Sequence, residues 1–304
     1  MSQGQTPQMR GRTFSHQGLT LNAFQRLDLG VAFNASRFKI MINALRFFDS
    51  HCQLQFPEFK DDLPLVLERM RENNVGAIVV GTDYEMSRAA VELAGTHEFL
   101  WATVGVHPND SKNVEFNSDQ FEDLANSEKV VAIGECGLDY YRNDPGDALE
   151  RERQMRLFRK QIELAVKISK PLMVHSRNAY EDIIEIISEY KKDNRNLSGV
   201  IHFYSGSLDQ AKKFIELGFA ISFAGPITFP KATEYSEVIR NIPITSILSE
   251  TDAPFAAPLP YRGKRNEPSY VIEVVKKIAE IRGEDFEIVR EALVQNILRT
   301  FKLV

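Results

Sequence analysis

The chain is short of cysteine, of tryptophan and of net positive charge. Among its 304 residues there are two cysteines, Cys52 and Cys136, and one tryptophan. Two lone thiols, neither in a CxxC pair, exclude a disulfide framework and make a reducing cytoplasm the default compartment. No apolar run approaches the roughly 18–20 residues that a membrane span requires, so no membrane partner is expected. The net charge of -5 argues against binding nucleic acid by broad attraction to phosphates. A polyanionic substrate would have to meet its positive field locally, from divalent metal and a few basic groups. Internal repeats are absent as well. What remains is ordinary globular composition, 43% apolar and 26% charged, at a length that suits one large barrel better than two small domains.

Residues 1–40 differ from the rest. They are rich in Gln, Gly, Ser and Thr and carry Arg10, Arg12, Arg26, Arg37 and Lys39 against the single acid Asp28. They lack the apolar core of a secretory signal. The expectation is a poorly ordered N-terminal extension, with Met41 a candidate natural start; an organellar transit peptide is the minor alternative. From residue 42 on, short apolar runs alternate with amphipathic stretches. Candidate strands are 45–49, 76–81, 100–105, 130–134, 171–175, 199–203, 219–223 and 246–250. Candidate helices lie near 61–73, 84–96, 117–127, 147–169, 179–192, 207–217, 231–241 and 268–282, with a last one over 286–301 packed across the outside. Eight buried strands alternating with eight helices is the pattern of a single-domain α/β protein, a (β/α)8 TIM barrel over 41–304.

Ligand-type side chains stand at the exits of these runs: FFDSHCQ at 47–53, VGVHP at 104–108, AIGECGLDYY at 132–141, LMVHSR at 172–177, VIHFYSG at 200–206 and ILSETDAP at 247–254. A barrel converges its strand exits on one face, where barrel enzymes keep their active sites. Asp49, His51, His107, Glu135, His175, His202 and Asp252 therefore read as one metal site drawn from six distant segments. Imidazole and carboxylate suit Zn, Mn or Fe, and the oxygens suit Mg. Side chains two apart on a strand share a side, so position 53 faces the same way as His51. Gln53 offers only a neutral carbonyl oxygen there. Asp49 serves equally well as a ligand or as an acceptor orienting His51. Glu250 reads as a group that fixes the strand end.

These motifs resemble the TatD-type metal-dependent hydrolases of the amidohydrolase-like barrel superfamily. The likeness covers about 42–302. It rests on D-x-H-x-H (here DSHCQ), V-G-x-H-P (VGVHP), G-E-x-G-L-D-Y (GECGLDYY), P-x-x-x-H-x-R (PLMVHSR), H-x-F-S-G (HFYSG) and E-T-D-A-P with R-N-x-P (ETDAP, RNEP). Six motifs in order are specific where none alone would be. The resemblance implies a two-metal phosphodiesterase, typically a 3′→5′ exonuclease on DNA or RNA. It implies His51, Glu135 and Asp252 around one ion and Glu135, His175 and His202 around the other. Gln53 leaves the first set short of one histidine and weakens that site. Relatives on the same barrel include aminoacyl-tRNA deacylases, so ester or amide hydrolysis stands as the rival activity. A metal-impaired subunit of a nucleic-acid-processing complex is the third reading.

For phosphodiester cleavage the expected course is in-line attack of metal-activated water, with Asp252 as base and Glu135 between two divalent ions, Mg, Mn or Zn. Arg177 and His107 are candidates to hold phosphate. Lys264 and Arg265 are candidates to grip a nucleic-acid backbone. Tyr140 and Tyr141 are candidates to stack a terminal base. A monomer or weak oligomer is expected.

Overall fold

The structure is a computed structural model that describes residues 42, 44–109, 116–141, 147–230 and 232–303. The expectations for 1–40 and for Met41 lie outside the described residues. Eight parallel strands run in sequence order around one sheet: β1 Phe47–Cys52, β2 Val75–Val80, β3 Leu100–Val104, β4 Val130–Asp139, β5 Leu172–Arg177, β6 Gly199–Ile201, β7 Phe219–Phe223 and β8 Ile247–Ser249. The helices between them are α1 Leu63–Glu72, α2 Tyr84–Thr96, α3 Ser118–Ala125, α4 Ala148–Lys167, α5 Tyr180–Lys191, α6 Leu208–Glu216, α7 Thr233–Asn241 and α8 Val271–Arg282, followed by α9 Phe286–Thr300. This is the (β/α)8 barrel that the alternation predicts.

Strand alternation divides the core into two layers. Phe48, Ile78, Trp101, Met173, Val200 and Leu248 face the barrel interior, while neighbours such as Phe47, Ala77, Ala102 and Val174 face the helices. The last helix departs from expectation. Its Val294, Ile297 and Leu298, with Phe301 beyond it, join the interior cluster, so α9 closes the N-terminal end of the barrel instead of lying across its outside. Functional chemistry is thereby confined to the opposite, C-terminal face. Among the described residues, no helix is long and apolar enough to cross a membrane.

β8 and β1 meet without a regular ladder. The seam is held by Asp252 N–H donating to His51 O at 2.9 Å and Gln53 N–H donating to Ala253 O at 2.7 Å. Asp49 fastens it from beneath. Its Oδ1 accepts from His51 N at 3.1 Å and from Thr251 N at 2.9 Å, and its Oδ2 accepts from the Thr251 hydroxyl. Asp49 is thus spent on joining two strand ends and holding the end of β1 that carries His51, which is the orienting role rather than direct ligation. Burial raises its carboxyl well above the ordinary carboxylate range, against the pull of Thr251 and the backbone donors.

Candidate metal centre

Glu135 is the hub. β4 runs five residues past its expected end, so Glu135 lies within the strand and not in a turn after it. The extension depends on two glycines with positive φ, Gly134 at 149° and Gly137 at 132°. A side chain on Gly134 would collide with the Met173 carbonyl, and one on Gly137 with the His175 carbonyl. Without them β4 could not bend close along β5 and deliver its carboxylate to the axis.

Four imidazoles surround that carboxylate. His202 Nε2 and His175 Nδ1 lie 2.9 and 3.0 Å from Glu135 Oε1, and His107 Nε2 lies 3.6 Å from it. His51 Nε2 is 3.5 Å from Glu135 Oε2 and 3.6 Å from Asp252 Oδ1. The rings of His51 and His202 stack at 4.0 Å. Asp252 stands just past β8 with φ 58°, which swings it over the barrel mouth. The structure therefore brings together His51, Glu135, His175, His202 and Asp252.

The expected set of Glu135, His175 and His202 lies together, with His175 Nδ1 3.3 Å from His202 Nε2, and two further groupings stand beside it. His51, Glu135 and His202 bring ligand atoms within 4.8 Å of one another, and so do His107, Asp139 and His175. His175 leans toward Asp139 Oδ2 at 3.3 Å, while Asp139 also accepts from Asn109 Nδ2 at 2.8 Å. His107 thus belongs with the ligand-type groups as much as with a phosphate. Asp139 is the residue that sequence reasoning missed. Its signal was present: positions 135, 137 and 139 share strand parity, so a carboxylate four after Glu135 returns to the same side. Two glutamines of α4 hold these strand exits. Gln161 pairs with both backbone groups of Val106 at 2.8 and 2.9 Å, and Gln154 does the same for Asp139 at 2.9 and 3.1 Å.

The electrostatics are those of a site made for positive charge. Burial alone would raise Glu135. The attraction of His202 and His107, with hydrogen bonds from His175 and His202, instead holds it well below the ordinary range. Burial opposes charge on His202 and His175, but Glu135 with Glu250 raises the first and Asp139 with Glu135 raises the second. Asp139 is lowered to about 2; burial opposes this, and the contact with His175 prevails. Asp252 goes the other way, pushed up to about 6 by burial against the pull of His51 and His202. Burial drives His107 down to about 4. Glu250 supports His202 from behind, its Oε1 accepting from Phe203 N–H at 2.7 Å and lying 3.5 Å from His202 Nδ1.

The donor set fits divalent ions. Ligand atoms at the vertices of a tetrahedral site with bonds near 2.1 Å stand about 3.4 Å apart, and the spacings of 3.5 and 3.6 Å around His51 and 3.3 Å between His175 and Asp139 match this. Gln53 is equivocal. It is buried beside His51, its Nε2 3.1 Å from His51 Nε2, and its Oε1 has no hydrogen-bond partner.

The remaining candidates divide. Arg177 ends β5 and lines the cleft, its guanidinium 3.6 Å from the Tyr141 ring. Tyr140 is not a stacking platform: it is buried, and its hydroxyl donates to Asp182 at 2.7 Å. Arg265 is not a free cation, because both its terminal nitrogens donate to Asp62 at 2.6 and 2.7 Å. Lys264 is exposed in the loop after β8 and does not line the cleft. Tyr141 is exposed, but Arg177 lies over its ring.

Comparison with known proteins places this centre in context. Residues 48–302 match the family described as TatD related DNase. The chain is 38% identical over 258 residues to the metal-dependent hydrolase YabD of Bacillus subtilis, covering 84% of this chain and 99% of the relative. It is similar to the crystal structure of YjjV, a TatD homologue from Escherichia coli, with a TM-score of 0.78 and 33% identity over 85% of this chain and 99% of that one. A TatD-family hydrolase from Entamoeba histolytica shares the fold at a TM-score of 0.75 and 23% identity.

Proposed function

The chain belongs to the TatD-related family of metal-dependent hydrolases, and from that premise we propose that it cleaves phosphodiester bonds, removing nucleotides from an end of a DNA or RNA strand in the cytoplasm. One observation carries the reading: four histidines and the carboxylate of Asp252, from five strand exits, gather around Glu135 on a sixth, with Arg177, which has no carboxylate partner among the described residues, on the rim of the same cleft. A cleft of about 620 Å³ accommodates a nucleotide unit.

His51, Glu135, His202 and Asp252 would hold one divalent ion, and His107, Asp139 and His175 a second, with Gln53 beside the first. Bound there, divalent metal polarises a phosphoryl oxygen and makes water a better nucleophile near neutral pH. The chain's own groups do the rest. Asp252, raised by burial to about 6, is poised to take the proton of the attacking water. Arg177 reaches the non-bridging oxygens of a neighbouring phosphate, where a planar guanidinium pairs two oxygens at once. Glu250 holds His202 in the orientation that turns Nε2 inward.

The test is shortening of end-labelled single-stranded DNA and RNA by the full chain with Mg²⁺ or Mn²⁺. Glu135→Ala and Asp252→Ala should each abolish it. Activity surviving in both variants refutes the assignment, and turnover of carboxyl esters without phosphodiesters replaces it with ester hydrolysis.

A further inference from the structure

We infer that Phe255 and Phe56 form a clasp for the terminal nucleobase, on the side of the metal centre opposite Arg177; this rests on the phosphodiesterase reading and deepens it. Sequence order around the barrel sets the geometry. β1 and β8 are neighbours across the seam, and β4 and β5 lie half a turn away in the eight-strand ring. Phe56 follows the His51–Gln53 exit of β1, with its N–H donating to Gln53 O at 3.1 Å. Phe255 follows Asp252 on the β8 side, with its N–H donating to Asp252 O at 2.9 Å. Their rings meet at 6.3 Å and 77°, an edge-to-face pair that leaves Phe255 49% exposed. Both line the cleft.

The far wall is its chemical complement. Arg177 ends β5, stands over the Tyr141 ring, and has no carboxylate partner among the described residues. One wall of the cleft is thus aromatic and uncharged, the other cationic, and the Glu135 cluster lies on the floor between them. A nucleic-acid end has the same order of chemistry: a flat aromatic base, a scissile phosphate, then the next phosphate. With the base against Phe255 and the next phosphate at Arg177, the scissile phosphate falls over the metal ligands. Stacking of this kind tolerates any base, which suits an enzyme that trims without reading sequence. It also requires an unpaired end, since a base held in a duplex presents no free face.

The side chain of Phe255 is free to serve because its backbone does the structural work. Asn266 Nδ2 donates to Phe255 O at 2.7 Å and to Thr251 O at 2.8 Å, so truncating the ring leaves the loop fastened.

The experiment compares two single-stranded oligonucleotides that differ only in the terminal residue, one bearing its base and one an abasic tetrahydrofuran. The metal-loaded full chain should prefer the base-bearing end in kcat/KM by about tenfold, the scale of one base–aromatic stack. Phe255→Ala should lose that preference, its kcat/KM for the base-bearing end falling to that for the abasic end, and Phe255→Trp should keep it. An undiminished preference in Phe255→Ala overturns the clasp. Equilibrium binding separates this from failure of the phosphodiesterase reading. Deoxyadenosine 5′-monophosphate should bind more tightly than deoxyribose 5-phosphate to wild type and equally to Phe255→Ala. That result supports the clasp even without turnover, and equal binding of the two to wild type overturns it.

Discussion

Gln53 is where the centre of this chain is least like a complete ligand set, and its contribution to ion binding can be worked out from its contacts. Its amide nitrogen lies 3.1 Å from His51 Nε2. An amide nitrogen only donates, so it occupies the lone pair that His51 would offer an ion. Freeing His51 costs that hydrogen bond, about 0.5–1.5 kcal/mol net. Against this stands the buried Oε1, which has no partner; leaving such an acceptor unsatisfied costs about 1–3 kcal/mol. Turning the amide over recovers the second quantity while surrendering the first. The balance favours ligation through Oε1 by about 1 kcal/mol, a factor of about five in affinity.

Gln53→Ala should therefore weaken divalent-ion binding about fivefold, although it releases His51. Gln53→His replaces a neutral oxygen with an imidazole and should tighten binding by at least about tenfold, because metal affinity of several kcal/mol is spread over each ligand of a structural site. Titration of the metal-free full chain with Zn²⁺ or Mn²⁺, by calorimetry or chelator competition, reads both. If Gln53→Ala binds as tightly as Gln53→His, or more tightly than wild type, Gln53 is a plug on His51 and the ligand argument is wrong.

Asp49→Ala strips three acceptor interactions from the β1–β8 seam and should cost about 3–5 kcal/mol, read as a fall in Tm of the metal-free chain of about 6–10 °C. Asp49→Asn keeps the Oδ1 acceptor and should cost far less. Because the native carboxyl is raised above its unfolded value, wild type should lose stability relative to Asp49→Asn as pH rises from about 4; a pH-independent difference would show that Asp49 is ionised at no cost. Glu250→Gln retains the acceptor for Phe203 N–H but not the charge behind His202, and should lower metal affinity about 10-fold or more; unchanged affinity would reduce Glu250 to a backbone anchor. kcat/KM should fall as pH drops through about 6 and Asp252 takes up its proton. A bound cation moves that limb lower, so an acid limb centred above pH 7 would remove Asp252 as the base.

The barrel was legible because its signal is local. Each strand is a short apolar run and each helix an amphipathic period, and neither needs a distant partner to be recognised. The ligand row was legible for the same reason: exits of parallel strands share one face, so His51, Glu135, His175, His202 and Asp252 could be placed together without a structure. What escaped depended on contacts far along the chain. Tyr140 is withdrawn from the cleft by Asp182 and Arg265 by Asp62, partners 42 and 203 residues away. The length of β4 escaped because the apolar run ends at Gly134, whereas in the fold Gly134 and Gly137 let the strand continue close against the Met173 and His175 carbonyls. With β4 ended at 134, Asp139 falls beyond the expected strand and its parity with Glu135 goes unused.

That one strand accounts for the asymmetry of the centre. Glu135 and Asp139 leave β4 on the same side, and they share the imidazoles unequally: His51 and His202 group with Glu135, while His107 and His175 lie near both carboxylates. His175 touches both carboxylates, through Nδ1 to Glu135 at 3.0 Å and Nε2 to Asp139 at 3.3 Å. It is therefore the hinge between the two sets, and because a neutral imidazole has one lone pair, its ring can serve an ion in only one of them. The set around Glu135 gains Asp252 from the seam and carries the weak ligand Gln53, whereas the set around Asp139 is completed by residues whose strand exits Gln154 and Gln161 hold rigid. Ion affinity should divide accordingly. The Asp139 set is fixed by α4 before any ion arrives, and the Glu135 set must first turn the Gln53 amide away from His51, so the two sets should fill in that order.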